Sequence, residues 1–70
     1  MMNNRMYLVI DENKKVRKFN SIERMERYMK RQNGIYFVID ILTDFLGIAI
    51  VKSENGNLEI KKALRIERYR

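Results

Sequence analysis

The sequence predicts an α+β domain with elements in the order ββαβββ, in which an antiparallel sheet packs on one helix. Three observations predict this fold. A single segment with helical spacing of apolar residues lies near the middle of the chain. The segments on both sides are rich in β-branched and aromatic residues. Short Asp-, Asn- and Gly-containing stretches separate the segments, and 70 residues are enough for one domain spanning 1–70.

The N-terminal segment predicts a β-hairpin. A strand is predicted at about residues 5–11, where RMYLVI is β-rich and apolar, and the sequence Asp-Glu-Asn-Lys at 11–14 favours a turn. Residues 16–19 can then pair back as a short second strand. The pattern leaves the register of this pair, and the position of the hairpin in the fold, open.

The helix is predicted at about residues 21–32. Asn20 is a good N-cap, and Glu23 then falls three residues later, where it completes a variant of the capping box. Ile22, Met25 and Met29 follow at helical spacing and form the apolar stripe. Asn33-Gly34 is a typical helix stop.

Three strands are predicted after the helix, at about 35–42, 45–53 and 57–67, and they form a C-terminal meander. A two-residue Thr43-Asp44 loop sets Ile41 opposite Leu46 and Ile39 opposite Ile48. For the last hairpin, a three-residue loop with Gly56 in the left-handed conformation is predicted rather than a two-residue Asn55-Gly56 turn. The longer loop aligns apolar residues, for example Ile50 with Ile60, whereas the shorter one opposes an apolar face to a polar one.

These two turns agree on one continuous apolar face of the meander, which Lys62 alone interrupts, as a β-bulge there would explain. Its members are Ile35, Phe37, Ile39, Ile41, Leu46, Ile48, Ile50, Leu58, Ile60, Leu64 and Ile66. We expect the helix stripe to pack on this face. The other face carries a second apolar patch: Tyr36, Val38, Leu42, Phe45, Ala49 and Val51. One helix cannot cover both faces, so we expect the N-terminal hairpin or another protein chain to cover the second patch.

The charge is strongly basic, with 15 Lys and Arg against nine Asp and Glu and a formal net charge of +6. On a helical wheel Arg24, Arg27 and Arg31 form a strip opposite the apolar stripe, which is suited to contact phosphates. The residues that extend this surface are Lys14, Lys15, Arg17 and Lys18. Tyr28 and Tyr69 lie near enough to stack on bases, although Tyr28 also fits the margin of the core. The alternative interpretation is an ordinary solvated helix face.

Catalysis and metal binding are disfavoured. The chain has no Cys and no His, which removes disulfides, thiolate metal sites and the commonest general base. The two serines fall at a helix start and a turn without a His partner, and no glycine-rich phosphate loop occurs. We therefore expect no enzymatic activity, no catalytic residues, no cofactor and no metal. The sequence contains neither a secretory signal nor a membrane helix, which predicts a cytoplasmic protein without membrane contact.

The make-up of the stretch MMNNRMYLVIDENKKVRKFNSIERMERYMKRQNG, together with the absence of Cys, His, Pro and Trp, resembles a group of small proteins. These are the uncharacterised proteins encoded by phages and prophages of low-GC Gram-positive, Bacillus-like bacteria. The resemblance is one of style over the full length. It implies an accessory or host-modulating role and assigns no functional residue.

Two functions follow as hypotheses. The first is a non-enzymatic domain that binds nucleic acid through its cationic helix face, mostly without reading sequence, because phosphate contacts carry no sequence information. The second is a protein–protein interaction module. It would form a homodimer or bind a host protein through Tyr36, Val38, Phe45 and Val51.

Overall fold

The structure is a computed structural model that describes residues 6–41 and 45–67. Within that part of the chain, five strands and one helix follow the predicted ββαβββ order: β1 Met6–Ile10, β2 Val16–Phe19, α1 Ile22–Lys30, β3 Gly34–Ile41, β4 Phe45–Glu54 and β5 Asn57–Glu67. All neighbouring strands are antiparallel, in the order β2-β1-β3-β4-β5. The α+β prediction is confirmed. The hairpin of β1 and β2 extends the meander beside β3, so it does not fold over a face of the sheet.

A local hydrogen-bond network forms the turn between β1 and β2. The Asp11 carboxylate accepts hydrogen bonds from the backbone N–H groups of Asn13 (2.9 Å) and Lys15 (3.0 Å). Lys14 adopts a left-handed φ of 67°. The Asp11 side chain thus forms hydrogen bonds with backbone N–H groups inside the turn, as Asp commonly does where a chain reverses direction.

The helix begins one residue later than predicted. Ser21, not Asn20, is the N-cap, and its Oγ accepts a hydrogen bond from the Arg24 N–H at 3.5 Å. Glu23 therefore lies at the second helical position rather than the third. Both Asn and Ser are favoured caps, so two such residues in succession leave the start of the helix uncertain by one position.

The β3–β4 pairing agrees with the prediction, and the β4–β5 pairing does not. Ile39 lies opposite Ile48 as expected, although the predicted Thr43-Asp44 loop falls outside the described residues. In the last hairpin the loop is the two-residue Asn55-Gly56 turn, with φ of 53° and 81°, which is typical of a type I′ turn. The side chain of Asn33 accepts a hydrogen bond from Asn55 N–H at 2.9 Å and helps to hold this turn.

The two-residue turn makes the register beside it differ from the prediction, and a β-bulge shifts the register again further along the strands. Ile50 lies opposite Lys62, whereas Val51 lies opposite Ile60, so Lys61 is an extra residue in β5. The insertion changes the face of every residue beyond it. Leu58 and Ile60 consequently lie on the opposite face of the sheet from Leu64 and Ile66.

The helix covers the face opposite to the predicted one. Directly opposed residues of antiparallel strands share a face, and the residues buried with the helix belong to the second apolar patch and its neighbours in β1. The buried apolar residues are Tyr7, Val9, Met25, Met29, Tyr36, Val38 and Val51. The helix connects β2 to β3, which run parallel with β1 between them. The handedness of that crossover decides the covered face, and the alternation of apolar residues carries no information about it.

A buried hydrogen bond joins the end of the helix to the sheet. Ser53 is 1% exposed, and its Oγ donates to the Met29 carbonyl at 2.7 Å. We expect Ser53→Ala to destabilise the fold by about 1 kcal/mol, because the carbonyl loses its strongest partner. In a domain of this size that loss lowers Tm by about 4–8 °C, measured by thermal denaturation followed by circular dichroism. The exposed neighbour Glu54→Ala is the control. An unchanged Tm for Ser53→Ala would contradict a stabilising role of this bond.

Candidate nucleic-acid interface

The three predicted helix arginines lie together on the outer side of α1. Arg24, Arg27 and Arg31 are exposed, and they line one shallow depression with Phe19 of β2 and Tyr28 of α1. Their side chains share this side because Met25 and Met29 point into the core. The strip inferred from the helical wheel is thus a real surface feature of the fold.

Arg17 joins this surface from β2. It pairs with Val9, whose side chain is on the helix side of the sheet, so Arg17 projects towards α1. Its guanidinium carbon lies 5.3 Å from the centroid of the Tyr28 ring, within range of a cation–π interaction. We call Arg17, Arg24, Arg27 and Arg31, with Phe19 and Tyr28, the arginine surface.

Tyr28 is the packing centre of the arginine surface. Its ring centroid lies 5.5 Å from that of Phe19 and 6.1 Å from that of Tyr36. Arg17 also lies over this ring, so contacts within the chain account for the position of Tyr28. Burial, followed by the proximity of Tyr28, raises the pKa of the Tyr36 hydroxyl above its ordinary 10.0. The second stacking candidate, Tyr69, lies outside the described residues.

The predicted lysines are divided between different parts of the fold. Lys18 pairs with Leu8, so its side chain is on the sheet face away from the helix and apart from the arginine surface. Lys14 and Lys15 lie in the β1–β2 turn. That turn is at the same end of the sheet as the end of α1, because Ile10 pairs with Phe37 near the start of β3. Lys14 and Lys15 are exposed at that end of the sheet, whereas Lys18 is on the other face.

Within the described residues no carboxylate comes within 4.0 Å of the guanidinium groups of the arginine surface, although Glu23 and Glu26 lie on the same helix. The ion pairs Lys52–Glu54 (3.3 Å) and Lys61–Glu59 (3.4 Å) lie on β4 and β5. Exposed cations that are not held in an ion pair remain available to an anionic partner.

Three of the four residues of the predicted protein interface are buried within the single chain. Tyr36 (2% exposed), Val38 (7%) and Val51 (6%) are buried beneath α1, because the helix covers their face. The side chain of Phe45 lies outside the described part of the structure. Contact of these three residues with another protein would require the helix to leave the sheet.

The face without a helix is instead a broad apolar surface, which we call the open face. Its apolar members, assigned from the strand pairing, are Met6, Leu8, Ile10, Val16, Ile35, Phe37, Ile39, Ile41, Leu46, Ile48, Ile50, Leu64 and Ile66. Phe37 is 48% exposed, Leu64 58% and Ile66 46%. The sequence pattern identified most of these residues as one surface but assigned it to the core.

Other kinds of site find no support in residues 6–41 and 45–67. No three acidic residues there come close enough to hold a metal ion, and no helix there is long and apolar enough to cross a membrane. Comparison with known proteins gave no match to a family model, a curated protein or a solved structure.

Proposed function

We propose that this protein is a non-enzymatic nucleic-acid-binding domain and that the arginine surface is its contact site. The observation that supports this proposal is the convergence of four guanidinium groups from α1 and β2 on one exposed surface, where none forms an ion pair with a carboxylate of the described residues. Guanidinium groups bind phosphate through paired, charge-assisted hydrogen bonds.

The spacing of the helix arginines fits a phosphate backbone. Arg24 and Arg31 are separated by about 10 Å along the helix axis, at 1.5 Å per residue. Successive phosphates of one duplex strand are about 3.4 Å apart along the duplex axis, so the strip spans about three of them. Contacts of this kind fix position and affinity but do not read bases. We therefore expect similar affinities for different sequences.

The first test is a fluorescence-anisotropy titration of the full chain with labelled DNA and RNA at several salt concentrations. Four phosphate contacts predict a slope of log K against log salt of about −3.6 for duplex DNA and about −2.8 for single strands. Binding that does not depend on salt, or no binding at low salt, would contradict the proposal. Two duplexes of unrelated sequence serve as the control for sequence-independent binding.

A second candidate function is protein–protein association, and the open face is the observation that favours it. Monomeric globular proteins rarely expose a contiguous apolar patch larger than a few hundred Å². Here the central strands of one side of the sheet are apolar, and the exposed members of that side include Val16 (59%), Phe37 and Leu64. The open face is therefore the candidate surface for a protein partner, in place of the residues that the sequence predicted and that are buried.

A further inference from the structure

We propose that the open face packs against the open face of a second copy of this chain. The result is a two-sheet sandwich with one helix on each outer side. This inference rests on the second candidate function, protein–protein association, and is independent of nucleic-acid binding. It names the partner of the open face and predicts a homodimer.

The open face is large enough for a stable dimer. Strands are about 4.8 Å apart and rise about 3.3 Å per residue, so five strands of roughly seven residues cover about 500 Å² of flat area. Two such faces remove at least about 1,000 Å² from water, the lower limit for a specific interface. The true accessible area is larger, since exposed side chains such as Phe37 and Leu64 project from the sheet.

Charged side chains on the open face lie at its edges, as they do in protein–protein interfaces. Apolar side chains of β1, β3 and β4 occupy its centre. Lys18 lies on the edge strand β2, Glu59 and Lys62 lie on the edge strand β5, and Lys52 lies near one end of β4. A dry apolar centre within a charged rim is the usual anatomy of a protein interface.

A second copy fits this surface better than an unrelated protein for a geometric reason. Two sheets pack face to face when their twists match, and two identical sheets have the same twist and width. A two-fold axis through the interface then makes the contact self-complementary and closed. The second sheet also supplies the additional apolar burial that a chain of 70 residues needs.

The basic charge of the chain does not oppose this dimer. Each arginine surface is on the helix side of its own sheet, so in the sandwich the two surfaces point away from each other. Two sheet layers about 10 Å apart and two helix layers lie between them. That separation exceeds the Debye length of about 8 Å at physiological salt, so repulsion between the two surfaces is largely screened.

The test is sedimentation equilibrium of the full chain and of two variants. We expect the wild type to have twice the 8.5 kDa mass of the chain. Ile39 lies on β3, the middle strand of the sheet, and Ile39→Lys places two desolvated ammonium groups at the centre of the dimer. We expect that substitution to weaken association by at least about 100-fold. The matched control Gln32→Lys adds the same charge at an exposed position just beyond the helix and should leave the dimer intact.

A second variant keeps the test decisive if Ile39→Lys does not fold. Leu64 is already 58% exposed in the single chain, so Leu64→Lys should fold and still weaken the dimer. A wild type that is monomeric at millimolar concentration, or a dimer that survives both substitutions, would overturn the inference. Anisotropy separates the two proposals: a monomeric wild type that binds DNA overturns the dimer and leaves the nucleic-acid proposal standing.

Discussion

Replacing Arg24, Arg27 and Arg31 by Glu is expected to weaken binding to DNA or RNA by at least about 100-fold at low salt. Each lost charge-assisted phosphate contact costs about 1 kcal/mol or more, and 1.4 kcal/mol corresponds to a tenfold change in affinity. The three side chains are exposed, so the fold should persist, with a modest loss of stability where Glu opposes the helix dipole. Anisotropy measures the affinity, and far-ultraviolet circular dichroism checks the fold.

A control variant with the same net charge distinguishes binding at the arginine surface from attraction that depends only on the charge of the whole chain. Each reversal changes the formal charge by two, so replacing Lys52, Lys61 and Lys62 by Glu also takes the chain from +6 to zero. These lysines lie on β4 and β5, away from the arginine surface. We expect the control to retain most of its affinity. Equal losses in the two triple variants would mean that net charge alone, and no particular surface, governs binding.

The elements of this fold could be predicted because their signals are local. The alternation of apolar residues defines the strands, and the apolar spacing with cap and stop residues defines the helix. Even the pairing of Ile39 with Ile48 followed from a short connection between two alternating segments. Local patterns therefore determined the element order and one hairpin register correctly.

The covered face could not be predicted, because it depends on long-range geometry. Alternation states that Phe37 and Val38 lie on opposite sides of β3, but it does not state which side the helix takes. That choice follows from the insertion of β1 between β2 and β3 and from the handedness of the crossover. Both faces are apolar, and hydrophobicity alone predicts that the helix covers the face with more apolar residues. That prediction was wrong.

The prediction of the last hairpin was wrong for a different reason. The dipeptide Asn55-Gly56 is the strongest short signal for a two-residue turn, and the structure contains that turn. The apolar pattern favours the longer loop, because that loop aligns apolar residues of the two strands without an irregularity. In the structure the turn is short, and the bulge at Lys61 is what aligns Ile48 with Leu64 on the far side of it. The interruption of the alternation at Lys62 is the trace that the bulge leaves in the sequence, and the extra residue is its neighbour Lys61.

The cationic site was partly predictable. Grouping the helix arginines needed only the helical period of 3.6 residues, and they do share one surface. Assigning Arg17 to that surface and Lys18 to the opposite one needed the register of β1 against β2, which the sequence left open.

Val38→Lys is expected to unfold most of the protein, whereas the adjacent Phe37→Lys should leave the single chain folded. Val38 is 7% exposed under the helix, between Val9 and Ala49 on the neighbouring strands. A buried ammonium group without a partner costs about 3–5 kcal/mol. The whole stability of a 70-residue domain is about 3.5–10 kcal/mol, at 0.05–0.15 kcal/mol per residue. Phe37 is 48% exposed on the open face, so a lysine there reaches water.

Urea denaturation at concentrations low enough to keep the chain monomeric measures both variants without a contribution from association. The two substitutions introduce the same charged side chain one residue apart on the same strand, so β-propensity and net charge are matched between them. Only the side of the sheet differs. If Phe37→Lys unfolds the chain and Val38→Lys does not, the helix covers the isoleucine-rich face. The open face and the dimer would then both be excluded, and Tyr36, Val38 and Val51 would again be the surface available to a partner.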